Sequence, residues 1–323
     1  MVRLHTIATA CVPAHLRIKV AATIAILVLT GLLSLPAFLD NYFMRLATTV
    51  LMYCVLAWSW NFIGGFIGYP SFGIAAFFGF GAYVGAILLS LKLIPFWLSA
   101  VAGGTAALIG AALIGAPILR LRGHYFAVAS LGIGEVFREV AMSWTSVTGG
   151  GMGINLPPTR PAFMTEQQLF YYAMLALAVV TFAVTLTVAR SKLGVAFRCI
   201  QQNEQAATMI GINTTFIKVI GFMLSAGFPG AAGAIYASWV GYIDPSDVFD
   251  ILNSIKAPVM VLLGGSGTVL GPAIGAVVYL VFEEVVWRGF LQFHSGILGF
   301  IIVALVLFMP SGVTSLFRRK ATR

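Results

Sequence analysis

The chain has 323 residues, of which 60% are hydrophobic and only 9% are charged, and its formal net charge is +9 at pH 7. Its mean hydropathy of +0.98 is far above that of a soluble domain. Apolar stretches of about 20 residues recur, and each is long enough to cross a hydrocarbon core of roughly 30 Å. This composition excludes a soluble protein. The sequence also lacks a basic block with interleaved aromatic residues, which would indicate binding of nucleic acid.

The apolar stretches predict an all-α fold, a polytopic transmembrane helical bundle that forms a single transmembrane domain over residues 1–323. Roughly ten membrane segments are expected, at about 20–39, 43–63, 72–91, 96–118, 125–144, 169–189, 215–239, 252–264, 269–287 and 294–310. Some of these could be re-entrant or broken: the segment at 252–264 is short and contains Lys256, and residues 64–73 could also dip into the membrane. Because the first residues lack the apolar core of a signal peptide, the first segment is expected to remain in the mature protein.

The distribution of basic residues predicts the orientation. If segment 1–19 and the basic tail 311–323 are cytoplasmic, thirteen of the 19 Lys and Arg residues, Lys218 among them, face the cytoplasm, five face outside and one lies within a span. This excess on one side follows the positive-inside rule. The Gly- and Pro-rich segment 145–163 and the acidic segment 241–250 then lie outside, either as plain loops or as contacts for a docking protein.

One polar segment, residues 190–213, interrupts the apolar sequence on the cytoplasmic side. A helix is predicted from Leu193 to Thr208, because Phe197, Ile200, Ala207 and Ile210 recur at helical spacing, and Gly211 is expected to end it. Such a helix is too short and too polar to span a membrane, so it is expected to lie on the inner surface. The alternative is a solvated connector.

Motifs of catalysis and nucleotide binding are absent from the sequence. None of the six lysines follows a glycine, so the phosphate-binding loop G-x-x-x-x-G-K-[ST] cannot form. Neither H-E-x-x-H nor G-x-S-x-G occurs, and no metal-ligand pattern is present. The chain is therefore predicted to be neither an ATPase nor another enzyme and to bind no cofactor, and any ATP and Mg²⁺ would be bound by partner subunits.

Charged residues within a predicted span indicate a translocation pathway. Glu135 lies about halfway through the segment that begins near Tyr125, and Arg138 lies three residues later on the same helical face. A charge at bilayer depth costs about 2.5–3.5 kcal/mol on insertion scales, so such residues usually face a cavity or a partner. The alternative is a structural ion pair that fixes the packing of the helices.

Two stretches broken by glycine and proline, residues 64–73 and 263–272, are the second indication of a pathway. Irregular backbone at membrane depth persists only where protein or a watery cavity surrounds it, and paired interruptions are typical of substrate sites. Ser71 is expected to cap the helix that follows it. The alternative is two tight turns at the membrane surface. The candidate pathway residues are Ser71, Phe72, Gly73, Tyr125, Glu135, Arg138, Gly264 and Gly265.

Glycines elsewhere indicate close helix packing. Gly81 and Gly85, and likewise Gly271 and Gly275, are four residues apart within predicted spans. This small-x-x-x-small spacing lets two helix backbones approach each other. The region around Gly79, Gly81 and Gly85 does not match a dinucleotide-binding fingerprint.

Several of these motifs together resemble the LivM-type permease of branched-chain amino acid ABC importers. The matching stretches run from about residue 64 to 276 in the order of that family: GGFIGYPSFGIAAFFGFGAY, LRGHYFAVASLGIGE, TGGGMGI, RSKLGVAFRCIQQNEQAATMIGIN, KVIGFMLSAGFPGAAGAIYA and VMVLLGGSGTVLGPAIGA. The resemblance implies that the polar segment 190–213 is a coupling helix that docks in a groove of an ATP-binding subunit. The residues expected to dock are Gly194, Arg198, Asn203, Glu204, Ala206, Ala207 and Gly211. The sequence departs from the common E-A-A-x-x-x-G pattern, because Gln205 separates the glutamate from the two alanines and no I-x-L-P follows.

The resemblance also implies partners and a location. The chain would pair with a homologous, LivH-like permease and with two ATP-binding subunits, and a periplasmic binding protein would deliver leucine, isoleucine or valine. It would lie in the bacterial inner membrane with both termini in the cytoplasm. Relatives with this architecture carry other amino acids, amides or urea, so the substrate stays open. The alternatives are an ion-coupled secondary transporter of a small polar solute that works alone, and an intramembrane enzyme, which would need paired catalytic residues that the sequence lacks.

Overall fold

The computed structural model describes residue 23 and residues 27–121, 123–159 and 164–289. The chain divides into two compact units, Met1–Leu46 and Ala47–Arg323, and the arrangement described below is that of the second. The predicted cytoplasmic termini and the predicted span at 294–310 lie outside the described residues. A single domain over the whole chain stays a prediction.

Helices make up most of the described chain. They are α1 Leu27–Ala37, α2 Asn41–Trp60, α3 Ile74–Ser90, α4 Phe96–Ile118, α5 His124–Ser143, α6 Thr145–Thr148, α7 Glu166–Arg190, α8 Lys192–Gln202, α9 Glu204–Met209, α10 Thr214–Val240, α11 Pro245–Val248, α12 Ile251–Gly264 and α13 Gly271–Gly289. A π-helical turn, Asn61–Phe66, extends α2. Short 3₁₀ turns lie at Leu35–Ala37, where they end α1, and at Gly150–Met152.

Four helices of the described part are long and apolar enough to cross a membrane: Asn41–Phe66, Phe96–Ile118, Glu166–Arg190 and Thr214–Val240. The prediction of a helical membrane protein is therefore confirmed. Helix α12 has 14 residues, which at 1.5 Å per residue gives about 21 Å, less than the ~30 Å of a hydrocarbon core. The total of ten membrane segments stays a prediction.

The centre of the second unit is α10, which packs against α3 and α4 through very small residues. A side chain on Gly81 would overlap the backbone of Gly230, and one on Gly85 would meet Ala234. Gly103 of α4 lies against the same part of α10. Without side chains between them the helix backbones approach closely, as small residues allow in membrane helices. The packing role predicted for Gly81 and Gly85 is confirmed.

Helices α12 and α13 form a second closely packed pair. A side chain on Gly264 would overlap the carbonyl group of Gly271, and one on Gly275 would overlap that of Met260. The packing role predicted for Gly271 and Gly275 is thus confirmed as well. Gly265, which ends α12, has a φ of +113°, a conformation that residues with a side chain rarely adopt.

The two segments predicted to lie outside pair with each other. Strand β1, Ile154–Asn155, runs antiparallel to strand β2, Tyr242–Ile243, with Ile154 opposite Ile243. The carbonyl of Gly241 also accepts a hydrogen bond from the amide of Leu156, at 2.9 Å. Each segment therefore satisfies backbone groups of the other, and this pair of short strands is the one departure of the described chain from an all-α fold.

Candidate functional site

The polar segment 190–213 folds into two helices, not one. Helix α8 ends at Gln202 and α9 begins at Glu204, because Asn203 between them is extended, with φ −161° and ψ 109°. The Asn203 side chain accepts a hydrogen bond from the amide of Ala206 at 3.0 Å and so caps α9. Asparagine is a favoured N-cap because its side chain competes with the backbone for such bonds. The prediction of one continuous helix is wrong at this residue.

The apolar face predicted for this segment forms only in part. Phe197, Ile200 and Ala207 are buried, as predicted, but Ile210 is 71% exposed and its neighbour Met209 is 88% exposed. The helical spacing stops at Met209, and Gly211 turns the chain with a φ of +87°. The prediction for Ile210 is therefore wrong, while the stop at Gly211 is confirmed. Two adjacent apolar side chains remain uncovered.

Two of the predicted docking residues fasten α8 to the end of α7. Gly194 is buried against the backbone of Val188 and Ala189, where a side chain would overlap. Arg198 donates hydrogen bonds from Nη2 to the carbonyl of Ala189 at 2.6 Å and from Nε to the carbonyl of Gly194 at 3.2 Å. A cation that bonds to the last carbonyls of a helix also interacts favourably with the helix dipole. The angle between α7 and α8 is fixed by these contacts.

Glu204, the central predicted docking residue, bonds within the chain. Its Oε1 accepts a hydrogen bond from Lys218 Nζ at 2.7 Å, and its Oε2 accepts one from the hydroxyl of Tyr69 at 2.5 Å. Lys218 also donates to that hydroxyl at 3.2 Å and to the carbonyl of Leu119 at 3.1 Å. The Tyr69–Glu204–Lys218 cluster thus connects the segment after α2, the start of α9, the end of α4 and the body of α10.

Lys218, which the sequence placed on the cytoplasmic side, is buried. Its side chain is only 5% exposed, whereas that of Glu204 is 16% exposed. The ammonium group lies 4.8 Å from the centroid of the Tyr69 ring. A buried charge requires such partners. Sequence reasoning could have noted a lone lysine inside an apolar span, but its partner Tyr69 is 149 residues away and has no signal in the pattern.

The two interrupted stretches meet in the structure. The buried amide side chain of Asn61, in the π-helical turn, donates to the carbonyl of Thr268 and accepts from the amide of Gly267, both at 2.9 Å. On the side of the polar segment, Gln201 Nε2 donates to the carbonyl of Gly65 at 2.9 Å. Sequence reasoning missed Asn61, although a polar residue in the apolar run before Gly64 and Gly65 was a signal. The turn at residues 61–66 is therefore hydrogen-bonded both to the second interrupted stretch, through Asn61, and to α8, through Gln201.

The predicted pathway residues near the first interruption are mostly buried. The amide of Phe72 donates to the hydroxyl of Ser130 at 2.8 Å, and the Ser71 hydroxyl accepts from the amide of Gly73 at 3.3 Å. Gly73, not Ser71, is the N-cap of α3, and it makes no side-chain capping bond. The capping role predicted for Ser71 is wrong, because α3 begins at Ile74, two residues later than a cap at Ser71 requires.

The charged pair predicted on α5 forms, but on an exposed face. Arg138 Nη1 lies 3.4 Å from Glu135 Oε2, with side chains 38% and 58% exposed. Tyr125 is also exposed on this helix. Among the described residues, no hydrogen bond links these three to Ser71, Phe72 or Gly73. The role of these residues in a pathway stays a prediction.

A third ion pair, which sequence reasoning missed, joins α12 to α13. Lys256 Nζ donates to Glu283 Oε1 at 2.8 Å, and both side chains are about three-quarters buried. The lysine ammonium lies 5.5 Å from the centroid of the Tyr53 ring, and the Tyr53 hydroxyl donates to Asn253 Oδ1 at 2.9 Å. The sequence shows Lys256 in a short apolar segment. Its partner Glu283 could not be predicted, because it lies 27 residues away on another helix, beyond any spacing within one helix.

Comparison with known proteins identifies the family. Residues 42–309 match a protein family described as "Branched-chain amino acid transport system / permease component". The LivM permease proteins of high-affinity branched-chain amino acid transport are similar: that of Salmonella typhimurium (strain LT2) is 29% identical over 299 residues, or 84% of this chain and 70% of that protein. The LivM protein of Escherichia coli (strain K12) is 28% identical over 321 residues, which cover 91% of this chain and 75% of that protein.

LivH permease proteins are also similar to the chain. LivH of Salmonella typhimurium is 24% identical over 286 residues, which cover 81% of this chain and 90% of that protein. No solved structure is significantly similar to the chain. These relatives are described as permease proteins of transport systems, which favours the importer over a secondary transporter that works alone. The chain belongs to the family of permease components of branched-chain amino acid ABC transport systems.

Proposed function

We propose that this permease forms one half of a pathway for leucine, isoleucine and valine across the bacterial inner membrane, with a LivH-like permease as the other half. The similarity to both LivM and LivH supports this pairing, since two homologous chains that share a fold can enclose a path along their common interface. The exposed Glu135–Arg138 pair on α5 is where we place the partner permease or the pathway itself, because charge at membrane depth requires such a neighbour.

Two ATP-binding subunits would supply the energy through the polar segment 190–213. The observation that carries this proposal is the uncovered pair Met209 and Ile210 at the end of α9. Adjacent exposed apolar side chains beside polar ones are typical of a protein contact. With Ala206 and Gly211 they form a small surface that a groove can enclose. Glu204 would act from beneath this surface and not as a direct contact.

The contacts beneath this surface provide a route for motion. A shift of α9 would pull on Lys218 of α10 through Glu204, and a shift of α8 would pull on Gly65 through Gln201. The second route ends at the broken stretch that follows α2, and Glu204 reaches the same stretch through its bond with the hydroxyl of Tyr69. A pair of rigid helices fastened in this way can bias an inward- or outward-facing equilibrium when ATP binds to the partner.

The test is a reconstituted complex of both permeases and both ATP-binding subunits with the binding protein. In the double variant Met209→Ser and Ile210→Ser, leucine uptake and the stimulation of ATP hydrolysis by loaded binding protein should each fall at least tenfold. The matched control is Leu91→Ser with Leu93→Ser, two apolar residues near the loop between α3 and α4 that are also mostly exposed. Normal uptake in the first variant would refute docking through α9, and equal losses in both would show a general effect of lost surface apolarity.

A further inference from the structure

A small cavity lies among α2, α3, α10 and α12, and none of the pathway residues that the sequence indicated lines it. Its volume is about 90 Å³, and it is lined by Met52, Tyr53, Leu56, Ile74, Ala75, Phe78, Tyr236 and Asn253. Met52, Leu56, Ile74 and Phe78 are almost fully buried. The lining therefore offers an apolar wall together with three polar side chains, the composition that is usual for a small-molecule site.

The volume of the cavity limits the group that it can hold. An apolar cavity of about 150 Å³ in another protein binds benzene. Since benzene has six carbon atoms, this cavity provides roughly 25 Å³ for each carbon atom of its ligand. On that scale, 90 Å³ holds three to four carbon atoms. This number matches the isopropyl group of valine and the branched butyl groups of leucine and isoleucine, whereas a phenyl ring is too large.

The polar side of the cavity has groups that remain available to a ligand. Asn253 Oδ1 accepts the Tyr53 hydroxyl, which leaves its two Nδ2 hydrogens as donors. Among the described residues, neither Asn253 Nδ2 nor the Tyr236 hydroxyl has a hydrogen-bond partner. The Lys256 ammonium, which is paired with Glu283, lies 5.5 Å from the centroid of the Tyr53 ring. A carboxylate beside Asn253 would find a donor, and Tyr236 could donate to it or accept from an ammonium group.

The cavity also lies where two short helices begin. The amide of Ala75, in the first turn of α3, donates to the hydroxyl of Ser254, in the first turn of α12, at 3.0 Å. Helix α3 has 17 residues and α12 has 14, so neither reaches across the hydrocarbon core at 1.5 Å per residue. Sites of membrane transporters commonly lie at such discontinuous helices.

We propose that this cavity is a substrate subsite, which receives the aliphatic side chain of the transported amino acid while Asn253 and Tyr236 bind its carboxylate and ammonium groups. The proposal rests on the function proposed above and adds a location and a selection by size. The permease itself would then discriminate among amino acids, in addition to any selection by the binding protein.

The experiment measures equilibrium binding of radiolabelled leucine to the purified complex of permeases and ATP-binding subunits, without the binding protein. Valine should displace leucine at least tenfold more effectively than phenylalanine does. Leu56→Ala enlarges the cavity and should bring phenylalanine to within threefold of valine. Asn253→Ala should weaken every amino acid at least tenfold and leave their order unchanged. Leu175→Ala, which removes an equally buried leucine from α7, is the matched control and should keep the wild-type order.

Two results would overturn the subsite. One is an unchanged order of amino acids in Leu56→Ala, and the other is a wild-type complex that transports leucine but does not bind it when the binding protein is absent. Uptake of leucine by the same complex, with ATP and the binding protein, tests the proposed function separately. A complex without ATP-driven uptake would refute that function, whereas normal uptake with either result above would refute the subsite alone.

Discussion

Glu204 Oε1 lies 2.7 Å from Lys218 Nζ, and this pair fastens the exposed helix α9 to the central helix α10. The segment that resembles a docking helix is therefore not an independent connector. Its most characteristic residue, the glutamate, faces the interior of its own chain. The charge that the sequence assigned to recognition of a partner is engaged in holding the docking surface in place.

Removal of one member of this pair should destabilise the protein more than removal of both charges. Lys218→Met removes the ammonium group that bonds to Glu204 Oε1 at 2.7 Å, and breaking a buried pair costs about 3–5 kcal/mol. We expect about half of that, because Glu204 is partly exposed. In the double variant Glu204→Gln with Lys218→Met, more than half of the loss in the free energy of unfolding should be recovered. Denaturation of the purified protein in detergent measures this, and strictly additive losses would show that the two residues do not interact.

The contact between the two interrupted stretches should depend on Asn61. Asn61→Ala leaves the carbonyl of Thr268 and the amide of Gly267 without this partner, and an unsatisfied buried polar group costs about 1–3 kcal/mol. We expect a loss of stability in that range together with reduced uptake. Asn155→Ala, at an exposed position of β1, is the control and should change stability by less than about 0.5 kcal/mol. Equal stability of the two variants would show that the Asn61 bridge contributes nothing.

Close packing of α3 on α10 should make Gly81 intolerant of a side chain. In Gly81→Ala the new methyl group overlaps the backbone of Gly230, which cannot rotate away. Overpacking of this kind typically costs 1–3 kcal/mol, and we expect a lower yield of folded protein and a lower midpoint of thermal denaturation. Gly132→Ala on α5 adds the same methyl group in open space, so its midpoint should be unchanged or higher, as alanine favours helix. The reverse order of the two midpoints would contradict the packing.

The sequence predicted well what depends on local pattern. Apolar runs gave the positions of the long helices, and four-residue glycine spacing gave the close contacts of α3 and of α13. Even Gly211 was identified, because only a residue without a side chain turns readily to a φ of +87°. Each of these features is decided within about one helix, where hydrophobicity and backbone sterics act directly.

The sequence did not predict what depends on distant partners. The break at Asn203 was missed because the energies involved are small. The capping bond from the Ala206 amide to the Asn203 side chain competes with a continuous helix and is enough to end it. From the sequence alone, Lys218 is indistinguishable from the other cytoplasmic charges, because its contacts with Tyr69 and Glu204 form only in the folded chain. Asn61 and Lys256 likewise find their partners through packing of separate helices, and no spacing rule joins residues so far apart.

The acidic loop before α12 should respond to pH through Asp247. Partial burial, followed by repulsion from Asp244 and Asp250, raises the pKa of the Asp247 carboxyl above its ordinary value. The ionised form is thus less favourable in the folded than in the unfolded protein, whose aspartates titrate near pH 3.9. The destabilisation is absent below that pH and complete above the raised pKa of the folded protein. Asp247→Asn should therefore stabilise the protein slightly at pH 7, by less than about 0.5 kcal/mol because the side chain is exposed. The difference between variant and wild type in thermal denaturation should shrink as the pH falls toward 3.9, and a variant that is less stable than wild type at pH 7 would contradict the assigned direction of the pKa.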